Sequence, residues 1–116
     1  MKITYIKNKD IDRRKWDECL LNAQNSLIYG MSWFLDIVCE SWDALITENY
    51  EYVLPLPIKH KFNFIKIIYN PTYLQKISIF SKNNINQTTI EHFIKKIPPK
   101  FAKYYLNINF NVENLK

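Results

Sequence analysis

Gly30 is the only glycine among the 116 residues of this chain, and that scarcity limits what the backbone can do. Loops that wrap a phosphate or pyrophosphate in main-chain N–H groups need glycine, because only a residue without Cβ lets the backbone approach so closely and take φ > 0 freely. A P-loop, a dinucleotide fingerprint or an acyl-CoA pyrophosphate loop therefore cannot be written onto these residues. No cofactor is expected. A turn is expected at Gly30 itself, where the short apolar stretch Leu27-Ile28-Tyr29 ends.

The remaining composition describes a chain that folds. Apolar residues make up 47% and aromatic residues 16% of it, which is ample for a packed interior and too much for a disordered segment. At this length one domain over residues 1–116 is expected. Cys19 and Cys39 fall in segments that read as helices and lack metal-ligand spacing. They read as buried free thiols in a reducing compartment, and no metal site is expected. No long apolar run precedes the first charges, so neither a signal peptide nor a membrane span is expected, and the protein reads as cytoplasmic.

The net charge of +5 favours acidic partners on electrostatic grounds alone. Lysine is spread along the chain, and only Arg13-Arg14-Lys15 and Lys59-His60-Lys61 with Lys66 concentrate it. Neither cluster carries glycines or interleaved aromatics, so they read as a solvated helix face and a hairpin tip.

Alternation over residues 2–7, with Ile3 and Tyr5 against Lys2 and Thr4, predicts a short opening strand. Asp10 or Asp12 then caps a helix reaching residue 23, in which Trp16, Cys19, Leu20 and Ala23 share one face. Ser32 is placed to cap a second helix over residues 33–40. Trp33, Phe34, Leu35, Ile37 and Val38 leave Asp36 almost alone on it, so it is expected to be the most buried helix. Residues 42–47, 50–59, 64–69 and 73–81 read as antiparallel strands, with Glu48-Asn49 at a turn. Pro55 and Pro57 cannot donate to a ladder, which predicts an edge, a strand end or a bulge there. Thr88 and Glu91 form a capping box that opens a helix over residues 88–97, with Ile90, Phe93, Ile94 and Ile97 on one stripe. The clearest alternation closes the chain, with Leu106, Ile108, Phe110 and Val112 facing one way. Trp16, Leu20, Leu35, Val38, Phe93, Ile94, Leu106 and Ile108 form the expected core.

Four stretches carry a family likeness: Ser32-Trp33-Phe34-Leu35-Asp36-Ile37-Val38-Cys39, Trp42-Asp43-Ala44-Leu45, Tyr52-Val53-Leu54-Pro55-Leu56-Pro57, and Asn70-Pro71 through Phe80. In order and spacing the chain resembles the amino-terminal half of bacterial GNAT-like, FemAB-related acyltransferase homologues. That resemblance implies an α/β (α+β) fold, with a twisted, mainly antiparallel sheet of five or six strands flanked by about three helices. It also implies a partial acetyltransferase-like domain whose acyl-donor site lies in another half. In one place the chain departs from the family, which tends to run Gln-Gln-Leu-Gly before the phenylalanine. Here the residues are Gln75-Lys76-Ile77-Ser78-Ile79-Phe80, with serine where the family has glycine.

No residue is assigned a catalytic role. His60 and His92 are distant in sequence and read as solvated, Ser32 and the cysteines lack a partner base, and Asp17-Glu18, Glu40 and Asp43 show no paired-carboxylate geometry. Asp36 is the best single carboxylate, because an acid on an apolar helix must be paired or shifted in pKa to persist there. A backbone cap or a lysine partner is the structural reading of the same residue. Trp33, Asp36, Trp42 and Gln75 are the candidate substrate-binding residues, the tryptophans serving equally well as core. Three functions are compatible with this reading. The first is a non-catalytic acyltransferase-like module that binds a substrate or a protein. The second is a small acyltransferase that holds an acyl-CoA or aminoacyl donor by side chains alone, and the third is a basic nucleic-acid-binding domain. A half-fold would leave an unpaired edge, placed at the 104–112 strand, to be covered by a homodimer or a protein partner.

Overall fold

A computed structural model describes residues 2–23, 30–61, 65–69, 79–98 and 103–105. They form a mixed α+β arrangement of three helices and an antiparallel sheet. The sheet body is β1 (Ile3–Ile6), β2 (Ser41–Thr47), β3 (Tyr52–Lys61) and β4 (Ile65–Tyr69), each antiparallel to the next. Two short ladders extend it. β5 (Phe80–Ser81) pairs with Tyr52 and Val53 of β3, and β6 (Lys103–Tyr105) lies parallel to β4. Of the expected 73–81 strand, only β5 falls among the described residues. Leu106, Ile108 and the rest of the closing alternation lie outside them.

Ala44, Leu45 and Ile46 are consecutive in β2 and all buried, so both faces of the sheet are covered at its centre. Residues 53–58 of β3 are likewise buried without a break. Pro55 and Pro57 sit opposite Ala44 and Trp42 in this interior strand, not at the expected sheet edge or strand end. On the side away from β2, β5 pairs with Tyr52 and Val53, and the ladder with β4 begins at Ile58, opposite Ile68. Residues 54–57 thus span an interval with no strand partner among the described residues on that side. Two residues apart in the strand, Pro55 and Pro57 direct both missing donors to the same side.

Asp12 caps α1 (Arg13–Asn22), its carboxylate accepting the Lys15 N–H at 3.1 Å. Trp16 and Leu20 of this helix are fully buried, and the Trp16 and Trp42 rings pack with centroids 5.0 Å apart. Gly30 accepts the Trp16 indole N–H at 2.7 Å. Its backbone is not left-handed, and the glycine is required instead by close approach. A Cβ there would stand 2.5 Å from the Phe80 ring and 2.7 Å from Leu20 Cδ1.

α3 (Gln87–Lys95) starts one residue earlier than expected and is capped by Asn86, whose Oδ1 accepts the Thr89 N–H at 2.9 Å. Thr88 lies inside the helix, so the expected capping box is replaced by an asparagine cap. Ile90, Phe93 and Ile97 are buried as the stripe requires, with Ile94 partly so.

Between β2 and β3 the chain turns at Glu48–Tyr50. The Thr47 hydroxyl clasps Tyr52 across the turn, accepting its N–H at 2.9 Å and donating to its carbonyl at 3.3 Å. Asn49 and Tyr50 both hold left-handed backbone, at φ 58 and φ 56. Asparagine enters this region readily and tyrosine does not, at a cost of about 1–3 kcal/mol.

Candidate functional site

α2 (Ser32–Val38) carries two of the four candidates, Trp33 and Asp36, and two carboxylates pin it. Ser32 is its first helical residue and not its cap. Asp17 of α1 fills that role from across the structure, accepting the Ser32 N–H and the Ser32 hydroxyl at 2.8 Å each. The second anchor is Asp36. Its Oδ2 accepts Arg13 Nε at 3.1 Å, and its Oδ1 accepts Arg13 Nη2 at 3.0 Å and the Trp42 indole N–H at 2.8 Å. The bidentate fork and the indole together use both oxygens.

Asp36 is therefore neither buried nor paired with a lysine. Its side chain is 42% exposed, and its partner is Arg13, a member of the basic cluster expected to be a solvated face. Arg13 also stacks over the Trp42 ring at 5.6 Å and donates to Asn8 Oδ1 at 2.9 Å. Asp43 continues the belt, accepting the Asn8 N–H at 2.9 Å and the Tyr5 hydroxyl. Burial, with the Asp43 carboxylate beside it, holds the Tyr5 phenol well above its ordinary pKa.

The Arg13 hydrogen bond, followed by that of Trp42, keeps the Asp36 carboxyl below its ordinary value of 3.8 against the opposing effect of burial. A depressed folded pKa contributes stability above the unfolded value, and that contribution is lost as pH falls through the folded one. The half-exposed pair is worth only about 0.2–1 kcal/mol. Asp36→Asn keeps an oxygen for Trp42 and loses the ion pair. It is expected to lower neutral-pH stability by about that amount and to flatten acid destabilisation below the ordinary carboxylate range, as urea titrations across pH would show. Asp36→Ala also strips the acceptor from an indole that is 1% exposed. That variant is expected to cost about 1–3 kcal/mol.

Of the four expected binding residues, Asp36 and Trp42 are bonded to each other and Gln75 lies outside the described residues. Trp33 packs its ring edge-on against Phe34, with centroids 5.8 Å apart. The expectation that α2 is the most buried helix fails, because only Ser32 and Leu35 are buried in it. Trp33 is 47% exposed and Ile37, one turn later on the same face, is 74% exposed. A helix apolar on nearly every side has turned two large side chains outward. Neither thiol is poised to react: burial pushes Cys19 up to about 11, and burial with the Asp36 charge pushes Cys39 up to about 12. Cys39 follows α2 and does not belong to it.

A separate cavity of about 280 Å³ opens between α1 and the turn after β2, with Lys15, Glu18, Asn22, Tyr50, Glu51 and Lys82 around it. The Glu48-Asn49 turn is legible in the sequence, and the cavity beside it is not. Asn49 was the available signal, since asparagine at a turn tolerates the left-handed region.

Among the described residues no group of three or more His, Cys, Asp or Glu could hold a metal ion, and no helix is long and apolar enough to cross a membrane. Comparison with known protein families, with curated proteins and with solved structures returns no match.

Proposed function

We propose that this chain is a non-catalytic, acyltransferase-like module of the GNAT-like, FemAB-related kind, which acts by docking a protein through α2. In that reading its sheet is the five- or six-stranded sheet of a partial acetyltransferase-like half. The outward Trp33–Ile37 face carries the reading. It is held rigid by the Asp17–Ser32 and Asp36–Arg13 anchors, and large aromatics with aliphatic neighbours supply the centres of protein interfaces. The Asp36 carboxylate and the Trp42 indole N–H are used within the fold, which supports a structural assignment for those two candidates.

The proposed partner is a second copy of the chain. A two-fold axis across α2 would set Trp33 of one copy against Ile37 of the other, so a single patch suffices on both sides. Sedimentation velocity at micromolar concentration is expected to return twice the chain mass for the wild type and the chain mass for Ile37→Glu, the variant melting cooperatively and losing only the stabilisation that association supplies. A monomeric wild type would defeat the proposal.

Acyl-CoA is expected to bind no tighter than millimolar by calorimetry. The N-termini of α1, α2 and α3 each hold an Asp or Asn side chain on their first N–H groups, so those donors do not face an incoming diphosphate. Micromolar binding would favour a small acyltransferase instead.

A further inference from the structure

The charges around the cavity between α1 and the 48–51 turn come in two kinds. Lys15 and Lys82 bring ammonium groups, Glu18 and Glu51 bring carboxylates, and Asn22 adds an amide. A polyanion entering here would meet both carboxylates, and a polycation would meet both ammonium groups. Only a ligand carrying one charge of each sign is complementary to the whole rim. At about 280 Å³ the space lies at the lower end of small-molecule pockets, too small to bury a nucleotide.

The wall opposite α1 is held in place by strained backbone. Tyr50 sits at φ 56, where a glycine would be free of strain. Its hydroxyl accepts the Asp12 N–H at 2.9 Å, and its ring faces Lys15 Nζ at 6.0 Å from the centroid. Tyrosine in such a backbone state persists only where its surroundings fix it, and residues of this kind cluster at ligand sites. On the α1 side, Cys19 lines the cavity as a neutral thiol, its Sγ 3.6 Å from the Phe80 carbonyl and 4.0 Å from that of Glu51. Among the described residues the Glu18 carboxylate makes a loose contact to Arg14 at 3.9 Å, both side chains being largely exposed. It is available to a ligand at little cost.

We infer that this cavity binds a small zwitterion of the free α-amino-acid class, with Lys15 and Lys82 taking the carboxylate and Glu18 and Glu51 the ammonium group. The site binds and does not transform, and it is independent of the α2 docking face.

Amide spectra of the isotope-labelled full chain, recorded with each common α-amino acid in turn at millimolar concentration, test this. At least one is expected to shift the resonances of Asn49, Tyr50 and Glu51, and its N-acetylated and C-amidated forms are expected to leave them in place. Glu51→Gln and the double variant K15Q/K82Q each remove exposed charges, and each is expected to keep a dispersed spectrum and lose the shift. Ile37→Glu is expected to bind as the wild type does, which separates this site from the docking face. Should no amino acid move the three resonances, should the N-acetylated form move them equally, or should inorganic phosphate alone do so, the assignment is wrong.

Discussion

Trp16→Ala is expected to cost about 3–5 kcal/mol, the range for deleting a buried aromatic side chain. Native domains of this kind hold about 5–15 kcal/mol in total. Trp16 is fully buried against Trp42 and holds the Gly30 carbonyl, so its removal opens a void under α1 and leaves a polar atom without its partner. Urea denaturation should show a much lower midpoint with the slope unchanged. Trp16→Phe keeps most of the volume and loses the N–H. It is expected to fall between wild type and alanine, at about 1–3 kcal/mol.

Gly30→Ala is expected to destabilise by about 1–3 kcal/mol through overpacking, and Gly30→Val by more. The added carbon would collide with the Phe80 ring at 2.5 Å, and Phe80 is 1% exposed, so the ring has no open side to swing into. Combining Gly30→Ala with Phe80→Leu is expected to cost less than the sum of the two single changes, because the smaller side chain makes room. A thermal-melt double-mutant cycle reads that coupling directly. Strict additivity would mean that close approach is not why glycine occupies this position.

The sequence was most readable where a local pattern faced a single surface. Trp16 and Leu20 lie on one stripe of α1 behind an aspartate cap, Phe93 and Ile90 do the same on α3, and Glu48-Asn49 marks the turn between two strands. Each needs only neighbours in sequence to be read. Caps were harder, since Asn86 and Thr88 are equally able to accept an N–H and only geometry selects one. The errors on α2 have a different source. Its cap, Asp17, lies fifteen residues away, and the partner of Asp36 lies twenty-three away, so neither is visible to a local pattern. The burial of α2 is not legible either, because apolar side chains on every side of a helix do not say which of them meets the core. Pro55 and Pro57 read as an edge, a strand end or a bulge because a missing donor is visible in the sequence and the pairing of these positions with Ala44 and Trp42 is not.

Whether two copies meet through α2 is decided by isotope-filtered NMR on an equimolar mixture of labelled and unlabelled chains. Intermolecular cross-peaks are expected between the Trp33 indole of one copy and the Ile37 methyl groups of the other, disappearing with Ile37→Glu while the rest of the spectrum stays in place. Intermolecular peaks confined to other surfaces, or a monomer without any at micromolar and higher concentration, would contradict docking of a second copy on this face.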